Sequence, residues 1–366
     1  MRIFRVALVV MSVFFIVSTL LPIIPLNSWW VQIFVFPRLQ IVCILLFLAL
    51  LWLIFFGLRQ KLNLIIISLI GVSILYQFYR IYPYTYFSPT QTKIADASDS
   101  LSSISAVSAN VFMKNREYRE LIEVIRKKKP DLVLLLETDE WWAKHTDTLL
   151  NWYPYSLSEP LDNTYGMMLY SKLKLEDAKV KYLIEDSIPS MHAYVRLRSG
   201  DRIKLYCLHP KPPVPPESES SVKRDAELLL AGKMVQQNKE PAIVMGDLND
   251  VAWSKTTRLF LKTSQMLDPR IGRGFYNTFN AHIPLMRWSL DHVFHSESFQ
   301  LNTLEVLPHV GSDHFPIYFS LSYLPQEKEE QEPLESNTAK EEDTVDKTIK
   351  KGIQKEQKEE REEQKD

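Results

Sequence analysis

Five consecutive residues, Gly246-Asp247-Leu248-Asn249-Asp250, carry side chains suited to metal-assisted chemistry. They follow Pro241 to Met245, a short apolar run that predicts a buried strand. Carboxylate oxygens are the ligands that Mg²⁺ or Mn²⁺ prefers, and an amide beside them can hold a phosphate oxygen without adding negative charge. Gly, Asp and Asn also dominate turns for backbone reasons, so this stretch alone is equally consistent with a polar turn.

Polar residues end several other apolar runs in the same way, and two later clusters, SLDHVF and GSDHFPI, contain further candidates. Each candidate alone has a structural explanation: a solvated strand end, a half-buried histidine or a turn pair. We call each such position a station. Six stations in one chain are far less consistent with chance than any one of them, so together they predict a shared site. The stations are Asn110, Glu137, His209, Asp247 with Asn249, Asp291, and Asp313 with His314.

These residue types together are suited to attack on a phosphoric ester. A divalent ion neutralises developing negative charge, and an imidazole can accept a proton near neutral pH. An aspartate that accepts one imidazole N–H fixes the tautomer and favours the charged ring. The sequence leaves open whether Asp247 or His314 removes the proton of the attacking water, and whether one metal ion or two are bound.

The elements that must position these residues are predicted from hydrophobic periodicity. Interleaved helices and strands, with several strands in direct succession, favour an α/β (α+β) fold in which a two-sheet β-sandwich is flanked by helices. Prolines in the HPKPPVPPE stretch after His209 exclude regular structure there. Helices are predicted at 116–129, 139–152, 218–237 and 254–262, and strands at 104–112, 131–137, 166–171, 191–198, 202–208, 241–247, 290–296, 301–307 and 315–322.

Three uncharged apolar runs precede this domain, and each is close to the roughly 20 residues needed to cross a bilayer. They predict transmembrane helices at 4–24, 38–58 and 62–80. A cleaved signal peptide would explain the first run alone but not the two that follow. Trp29 and Trp30 lie between the first two runs, where aromatic rings favour the membrane interface.

Cationic residues flank the three runs unequally. Since cytoplasmic loops carry the excess of Lys and Arg, the bias places the amino terminus in the cytoplasm. Three crossings then place the soluble domain on the periplasmic or extracellular side of the cell (inner) membrane. The two sets are Arg2, Arg5, Arg59 and Lys61 on the cytoplasmic side, against Arg38 and Arg80 on the other.

Composition divides the chain into a membrane domain (1–82), a polar linker (83–101), a soluble domain (102–324) and a tail (325–366). The net charge is -1, but the residues from Gln326 onward carry 15 acidic and 9 basic side chains. Such a tail cannot bury a core, so we expect it to be disordered or a single solvated helix. No protein partner is predictable. Cys43 and Cys207 are the two cysteines, which excludes a disulfide framework.

The six stations, in this order, resemble the endonuclease/exonuclease/phosphatase superfamily with its deoxyribonuclease I-like fold. The resemblance covers about residues 102–324 and is most specific at GDLND, SLDHVF and GSDHFPI. The three amino-terminal runs, combined with the HPKPP, GDLND and AWS motifs, are further similar to a membrane-anchored bacterial branch of that superfamily.

The resemblance implies a role for each station. For catalysis, it implies that Asp247 orients the attacking water, that His314 acts on the nucleophile or on transition-state charge, and that Asp291 orients His314. The implied ligands of Mg²⁺ (or Mn²⁺) are Glu137, Asn110, Asp247 and Asp313. The implied phosphate-binding residues are Asn110, His209 and Asn249, the last two also counted as catalytic.

The expected function is therefore a membrane-anchored, metal-dependent phosphoric ester hydrolase, most simply a phosphodiesterase. Nucleic acid and phospholipid headgroups both stay open as substrates, with a phosphomonoester third. The only basic run in the soluble domain, Arg126 to Lys129, closes a predicted helix, where cations are favoured by the helix dipole. The alternative from another class is a catalytically inactive, membrane-tethered binding module of the same fold.

Overall fold

The computed structural model of the chain describes residues 1–96 and 100–364, without the side chains of 328–330. The chain forms two compact units. One comprises residues 1–89 and 213–221 and is called the helical unit; the other comprises 90–212 and 222–366 and is called the catalytic unit. The chain therefore leaves the catalytic unit after Pro212 and returns to it at Val222.

The helical unit is built from apolar helices. By length and composition, three segments could cross a membrane: Arg2–Ile23, Arg38–Phe55 and Lys61–Tyr84. These segments coincide within a few residues with the predicted runs, and they confirm that part of the expected architecture. The helices themselves are α1 (Arg2–Leu20), the short α2 (Trp29–Gln32), α3 (Arg38–Phe55) and α4 (Lys61–Ile81).

Segment 213–221 is fastened within the helical unit by backbone hydrogen bonds. The amide of Trp29 donates to the carbonyl of Glu219 (3.0 Å), and the amide of Ser221 donates to the carbonyl of Asn27 (2.8 Å). The proline-rich stretch has no regular structure of its own, as predicted. The two bonds fix the residues that follow it, Glu219 to Ser221, against the connection between α1 and α3.

Two mixed sheets form the catalytic unit, and they confirm the predicted two-sheet sandwich flanked by helices. The first sheet has the order β10-β11-β1-β2-β4-β3 and the second the order β5-β6-β7-β8-β9. The strands are β1 (Ser103–Asn110), β2 (Leu132–Leu136), β3 (Tyr155–Glu159), β4 (Met167–Ser171), β5 (Leu175–Tyr182), β6 (Pro189–Arg196), β7 (Arg202–Cys207), β8 (Ala242–Asp247), β9 (Asp291–His295), β10 (Phe299–Val306) and β11 (Ile317–Tyr323). The helices are α5 (Tyr118–Lys128), α6 (Glu140–Thr146), α7 (Val222–Asn238), α8 (Lys255–Ser264) and α9 (Ala339–Glu363).

Alternation of side chains along the strands builds the core on both faces of each sheet. In β2 every residue is buried. Leu134 points between the sheets with Leu205 and Met245, whereas Val133 packs on the outer face in the cluster that contains residues of α5 and α6. This double burial explains why β2 is a continuous apolar run rather than an alternating one.

Strands β3 and β5 were not predicted from the sequence. Both lie at sheet edges, and most of their side chains are exposed or half-buried. Because neither face of such a strand needs to be apolar throughout, their sequences (YSLSE and LEDAKVKY) lack the periodicity that reveals the inner strands.

The carboxyl-terminal tail differs from the expectation of a disordered or solvated segment. It is helical in α9, as one of the two alternatives held, but one face of α9 packs on the catalytic unit. Val345 is fully buried against Leu229 and Leu259. Lys233 of α7 contacts Glu342 (2.6 Å) and Lys262 of α8 contacts Glu341 (2.6 Å).

From Thr90 onward, the predicted linker belongs to the catalytic unit. The amide of Leu301 donates to the carbonyl of Lys93 (2.8 Å), and the amide of Ala95 donates to the carbonyl of Leu301 (3.0 Å). Residues 97–99 of this segment lie outside the described residues.

Candidate active site

Neighbouring strand ends in the first sheet deliver Asn110 and Glu137. Strands β1 and β2 are parallel, and Asn110 pairs with Leu136, the residue before Glu137. Parallel strands end at the same sheet edge, so the two side chains meet there. The amide Nδ2 of Asn110 donates to Glu137 Oε1 (2.8 Å) and to Asp247 Oδ2 (3.1 Å), which joins the edges of both sheets.

The second sheet delivers the aspartates and, two residues after β7, His209. Asp247 at the end of β8 is the register partner of Asp291 at the start of β9. His209 Nε2 lies 3.8 Å and His314 Nε2 3.6 Å from Asp247 Oδ2. The other ring nitrogen of His314, Nδ1, donates to Asp291 Oδ2 at 2.8 Å. Asp291 therefore fixes which side of the His314 ring faces Asp247.

The backbone around the site is held in unusual conformations. Gly246 has φ 140°, and a Cβ there would lie 2.0 Å from the carbonyl oxygen of Leu208, so only glycine fits beside Asp247. Glu137 (φ 59°) and Asn249 (φ 49°) adopt the left-handed conformation that side chains disfavour. Such conformations cluster at functional sites, where the surrounding structure enforces them.

Asn249 and Asp313 lie at the margin of this cluster. The amide N–H of Asn249 donates to Asp247 Oδ1 (2.9 Å), while its side-chain Nδ2 donates to the carbonyl of Pro210 (3.0 Å). Asp313 is half-buried and lies close enough to Glu137 and His314 to interact electrostatically with both. The structure thus brings all eight predicted site residues into one region.

Burial and mutual charge shift the pKa values in this region. Desolvation raises the pKa of Glu137, and it raises the pKa of Asp247 to about 7. Desolvation lowers the pKa of His209 to about 3. For His314, desolvation is outweighed by the carboxylates of Asp291 and Asp247, which raise its pKa to about 10.

The donor set at this site fits a divalent cation. Carboxylate oxygens of Glu137 and Asp247 share one amide donor, and their desolvation favours a neutralising positive charge beside them. Two buried atoms, Asp291 Oδ1 and His209 Nδ1, have no hydrogen-bond partner. Among the described residues, ligand atoms of Asp247, Asp291 and His314 lie within 4.8 Å of one another. Asp291 already accepts from His314 through Oδ2, so this carboxylate oxygen is engaged with the imidazole.

Sequence reasoning missed the side chains that support the site. The hydroxyl of Ser312 donates to the carbonyl of Asn110 (2.8 Å) and accepts from the amide of His314 (3.0 Å). It ties the GSDHFPI stretch to the end of β1. The signal was present, since Ser312 precedes two predicted site residues, but a serine beside glycine is typical of any turn.

Arg224 of α7 holds the GDLND stretch in place through its guanidinium group. Its Nη1 donates to the carbonyl of Asn249 (2.7 Å) and lies 3.4 Å from Asp250 Oδ1. Asp250 also accepts from Thr257 (3.2 Å), so this carboxylate anchors the loop to α8. No local pattern in the sequence distinguishes Arg224 from other helix-surface cations.

Histidines without a predicted role have structural partners. The ring of His292 contacts the carbonyl of Asp250 (2.8 Å) and Arg270 Nη2 (2.7 Å). His295 contacts the Thr92 hydroxyl (3.0 Å), which holds the end of the predicted linker. The aromatic ring of Phe279 lies 4.9 Å from that of His314 and forms one wall of the site.

Comparison with known proteins agrees with this geometry. A family model described as "Endonuclease/Exonuclease/phosphatase family" matches residues 107–314. No curated protein matches the chain significantly. The segment 107–314 begins inside β1 and ends at His314, so the match contains every predicted site residue.

Several solved structures are also similar to this chain. An endonuclease/exonuclease/phosphatase family protein from Bacteroides thetaiotaomicron is 15% identical, with a TM-score of 0.49 over 60% of this chain and 95% of its own. The human nocturnin catalytic domain with bound sulfate anion is 15% identical (TM-score 0.47; 62% and 96% covered). D. rerio TDP2 complexed with single strand DNA product is 18% identical (TM-score 0.45; 60% and 99% covered).

Proposed function

This chain belongs to the endonuclease/exonuclease/phosphatase family, and we propose that it is a membrane-anchored phosphodiesterase that requires a divalent metal ion. One observation carries the proposal. A single oxygen, Asp247 Oδ2, has Asn110 Nδ2 at 3.1 Å, His314 Nε2 at 3.6 Å and His209 Nε2 at 3.8 Å. A buried carboxylate that faces nitrogen atoms from three other chain segments is expected at a reaction centre rather than in a structural core.

Mg²⁺ or Mn²⁺ would be held by Glu137, Asn110, Asp247 and Asp313. When bound, the ion would supply positive charge against the phosphate oxygens. The supporting observation is the donor chemistry: hard oxygen atoms, two of them from carboxylates that burial disfavours as isolated charges. Such a set suits an oxygen-preferring cation better than a thiolate- or imidazole-preferring one.

The remaining residues would bind and orient. His209, Asn110 and Asn249 would contact the non-bridging oxygens of the phosphate. Asp291 holds the His314 ring through its Nδ1 proton, so that Nε2 faces Asp247 and the reacting atoms. Asp247 orients the attacking water. Each of these tasks depends on fixed geometry, which the hydrogen bonds from Ser312 and Arg224 maintain.

The three apolar helices support the anchoring part of the proposal. We place the protein in the cell (inner) membrane, with the catalytic unit on the periplasmic or extracellular side. The charge bias around the helices supports this orientation. We further propose that the chain belongs to the membrane-anchored bacterial branch of the family.

The test uses the full-length protein in detergent with Mg²⁺ and three esters: bis-p-nitrophenyl phosphate, plasmid DNA and lysophospholipid. Turnover that disappears with EDTA and in Glu137→Ala and His314→Ala supports the proposal. Asp186→Ala, an exposed carboxylate outside the site, is the matched control and keeps its activity. Absence of turnover with every ester would instead favour an inactive binding module.

A further inference from the structure

The catalytic unit exposes a short apolar loop, residues 282–286 (HIPLM), called the apolar loop. All five residues are exposed, and Ile283 (47%), Leu285 (82%) and Met286 (49%) are large hydrophobic side chains. No other segment of the described part of this unit exposes three such side chains within four residues. Single exposed hydrophobic residues are ordinary, but a contiguous exposed group marks an interaction surface.

Hydrogen bonds hold the apolar loop in place at its base. The amide of Asn280 donates to the carbonyl of Met286 (3.1 Å), and the amide of Met286 donates to the carbonyl of Ile283 (2.9 Å). Arg287 closes the base, because its guanidinium donates to the carbonyls of Asn280 (3.2 Å) and Ala281 (3.0 Å). The hydrophobic side chains are therefore presented by an ordered turn.

The base of the loop lies at the edge of the candidate active site. The amide of Ala281 donates to the carbonyl of Asp313 (2.7 Å). Two residues earlier, Phe279 packs its ring 4.9 Å from the ring of His314. Whatever contacts the apolar loop is consequently held beside the groups proposed to act on the phosphate.

We propose that the apolar loop inserts into the surface of a lipid bilayer, and that the phosphoester cleaved at the neighbouring site belongs to the headgroup of a bilayer lipid. This inference rests on the proposed phosphodiesterase function and specifies its substrate class. The chain itself provides the bilayer, since three of its helices are long and apolar enough to cross one.

The composition of the loop favours lipid over nucleic acid. A single-stranded nucleic acid needs aromatic platforms and free cations along its backbone. The large exposed side chains here, Ile283, Leu285 and Met286, carry no aromatic ring, and the next residue in the chain, Arg287, already donates to two backbone carbonyls. Aliphatic side chains that flank a polar site instead match the boundary between acyl chains and headgroups.

Membrane contact is tested in the full-length protein, reconstituted into phosphatidylcholine–phosphatidylglycerol vesicles. Leu285→Cys in a Cys43→Ser background is labelled with a fluorophore sensitive to polarity. We expect quenching by nitroxide-labelled lipid and protection from aqueous iodide. Ile353→Cys, which labels an exposed position of α9, is the matched control and shows the opposite pattern. Quenching of the Leu285→Cys label by iodide alone would overturn the inference.

Substrate class is tested with the same reconstituted protein. In Leu285→Asp, we expect hydrolysis of lipid headgroup esters to fall about tenfold or more, because a carboxylate opposes insertion, while turnover of soluble bis-p-nitrophenyl phosphate changes less than about twofold. Leu285→Phe keeps the apolar surface and retains both activities. Equal loss on both substrates, or no loss on either, would contradict the inference.

The two proposals can fail separately. A wild-type protein that cleaves bis-p-nitrophenyl phosphate or plasmid DNA but no bilayer lipid would overturn the lipid substrate and leave the phosphodiesterase in place. A protein that cleaves no ester, even with Mg²⁺, would overturn both the proposed function and the substrate assigned from it.

Discussion

Asp247 is the residue at which the two sheets meet chemically. It accepts from Asn110 at the end of β1 in the first sheet. Its Oδ2 also lies 3.8 Å from His209, which follows β7 of the second sheet, and 3.6 Å from His314, which precedes β11 of the first. Ionised groups buried together in this way are costly unless they are paired. The free-energy cost of burying charged groups is tolerated where burial shifts their pKa values toward those that a reaction needs. Such clusters therefore indicate function.

The pair of Asp291 and His314 gives the first prediction. Asp291→Asn preserves the shape of the side chain but replaces a carboxylate acceptor, so the ring loses the bond that fixes its tautomer. We expect kcat on bis-p-nitrophenyl phosphate to fall roughly 10²-fold or more, with little change in KM or in melting temperature. Asp201→Asn, at an exposed turn, is the control. Activity within a few-fold of the unmodified protein would remove Asp291 from the mechanism.

Glu137 gives a second prediction in which two measurements move in opposite directions. Since desolvation disfavours its charge, Glu137→Gln should leave the metal-free protein equally or more stable to heat. The same change should raise the Mg²⁺ concentration needed for half-maximal activity at least about tenfold and shrink the Mg²⁺-induced rise in melting temperature. Glu123→Gln on the exposed face of α5 should alter neither quantity. An unchanged Mg²⁺ requirement would place the metal elsewhere.

At the scale of residues, the sequence predicted which side-chain types form the site and that these side chains lie together. Carboxylates, amides and imidazoles at strand ends can be recognised locally, and the parallel β1–β2 pair explains why two of them meet. The supports could not be predicted. Ser312 and Arg224 act through bonds to backbone carbonyls of residues 202 and 25 positions away, and such contacts leave no local pattern.

Helix α9 shows the same limit at the scale of elements. Its sequence is dominated by Lys and Glu, and only Val345, Ile349 and Gly352 form a narrow apolar stripe at helical spacing. Pairing among its own charges favours a solvated helix. The structure instead pairs several of these charges with α7 and α8, where Lys223 contacts both Glu185 (2.8 Å) and Glu356. The partners lie 79 or more residues earlier in the chain, beyond any local periodicity.

Gly352 marks the closest approach of α9 to α7, and it gives the third prediction. A Cβ at this position would lie 2.3 Å from the Cβ of Ala226. Gly352→Ala should raise the intrinsic helicity of α9 by about 1 kcal/mol yet release it from α7, because the steric conflict exceeds that gain. Limited proteolysis between residues 331 and 338 would report the release. Gln354→Ala on the exposed face keeps the protection, and protection kept in Gly352→Ala would contradict the packing.

The amino end of α9 gives a fourth prediction, which concerns pH. Bonding to Lys262 and to the Thr338 backbone lowers the pKa of Glu341 from 4.5 to about 2. Because the folded pKa is the lower one, the stabilisation is complete above pH 4.5 and is lost as the pH falls toward 2. The protection factors of the α9 amides, which correct for the intrinsic pH dependence of hydrogen exchange, should therefore fall over this interval, and Glu341→Gln should remove the fall. An equal response in both proteins would assign the effect to other groups.

Across the whole molecule, sequence reasoning succeeded where burial is strong. Inner strands, helices α5, α7 and α8 and the three apolar runs were placed within a few residues, because each must hide apolar side chains. The edge strands β3 and β5 were missed, since they hide few. Neither did the sequence show that residues 213–221 belong to the helical unit, because this grouping depends on backbone bonds to residues 27–29.

Membrane orientation is a property of the whole chain, and hydrogen bonds within the helical unit make its prediction more specific. Arg5 donates to Gln60 (2.6 Å) and Asn63 (3.0 Å), so the amino terminus and the α3–α4 connection share one end. At the other end Arg38 donates to Gln77 (2.6 Å). The first end carries the larger positive charge and should be cytoplasmic.

Alkaline phosphatase fused after Asp366 should then be active, and a fluorescent protein fused at the same position should not fluoresce. Neutralising the four cations of the first end should give a mixture of the two orientations. Neutralising Lys127 and Lys128, which belong to α5 and flank no span in the sequence, should not. A bright fluorescent fusion on the unmodified chain would reverse the orientation and place the catalytic unit in the cytoplasm.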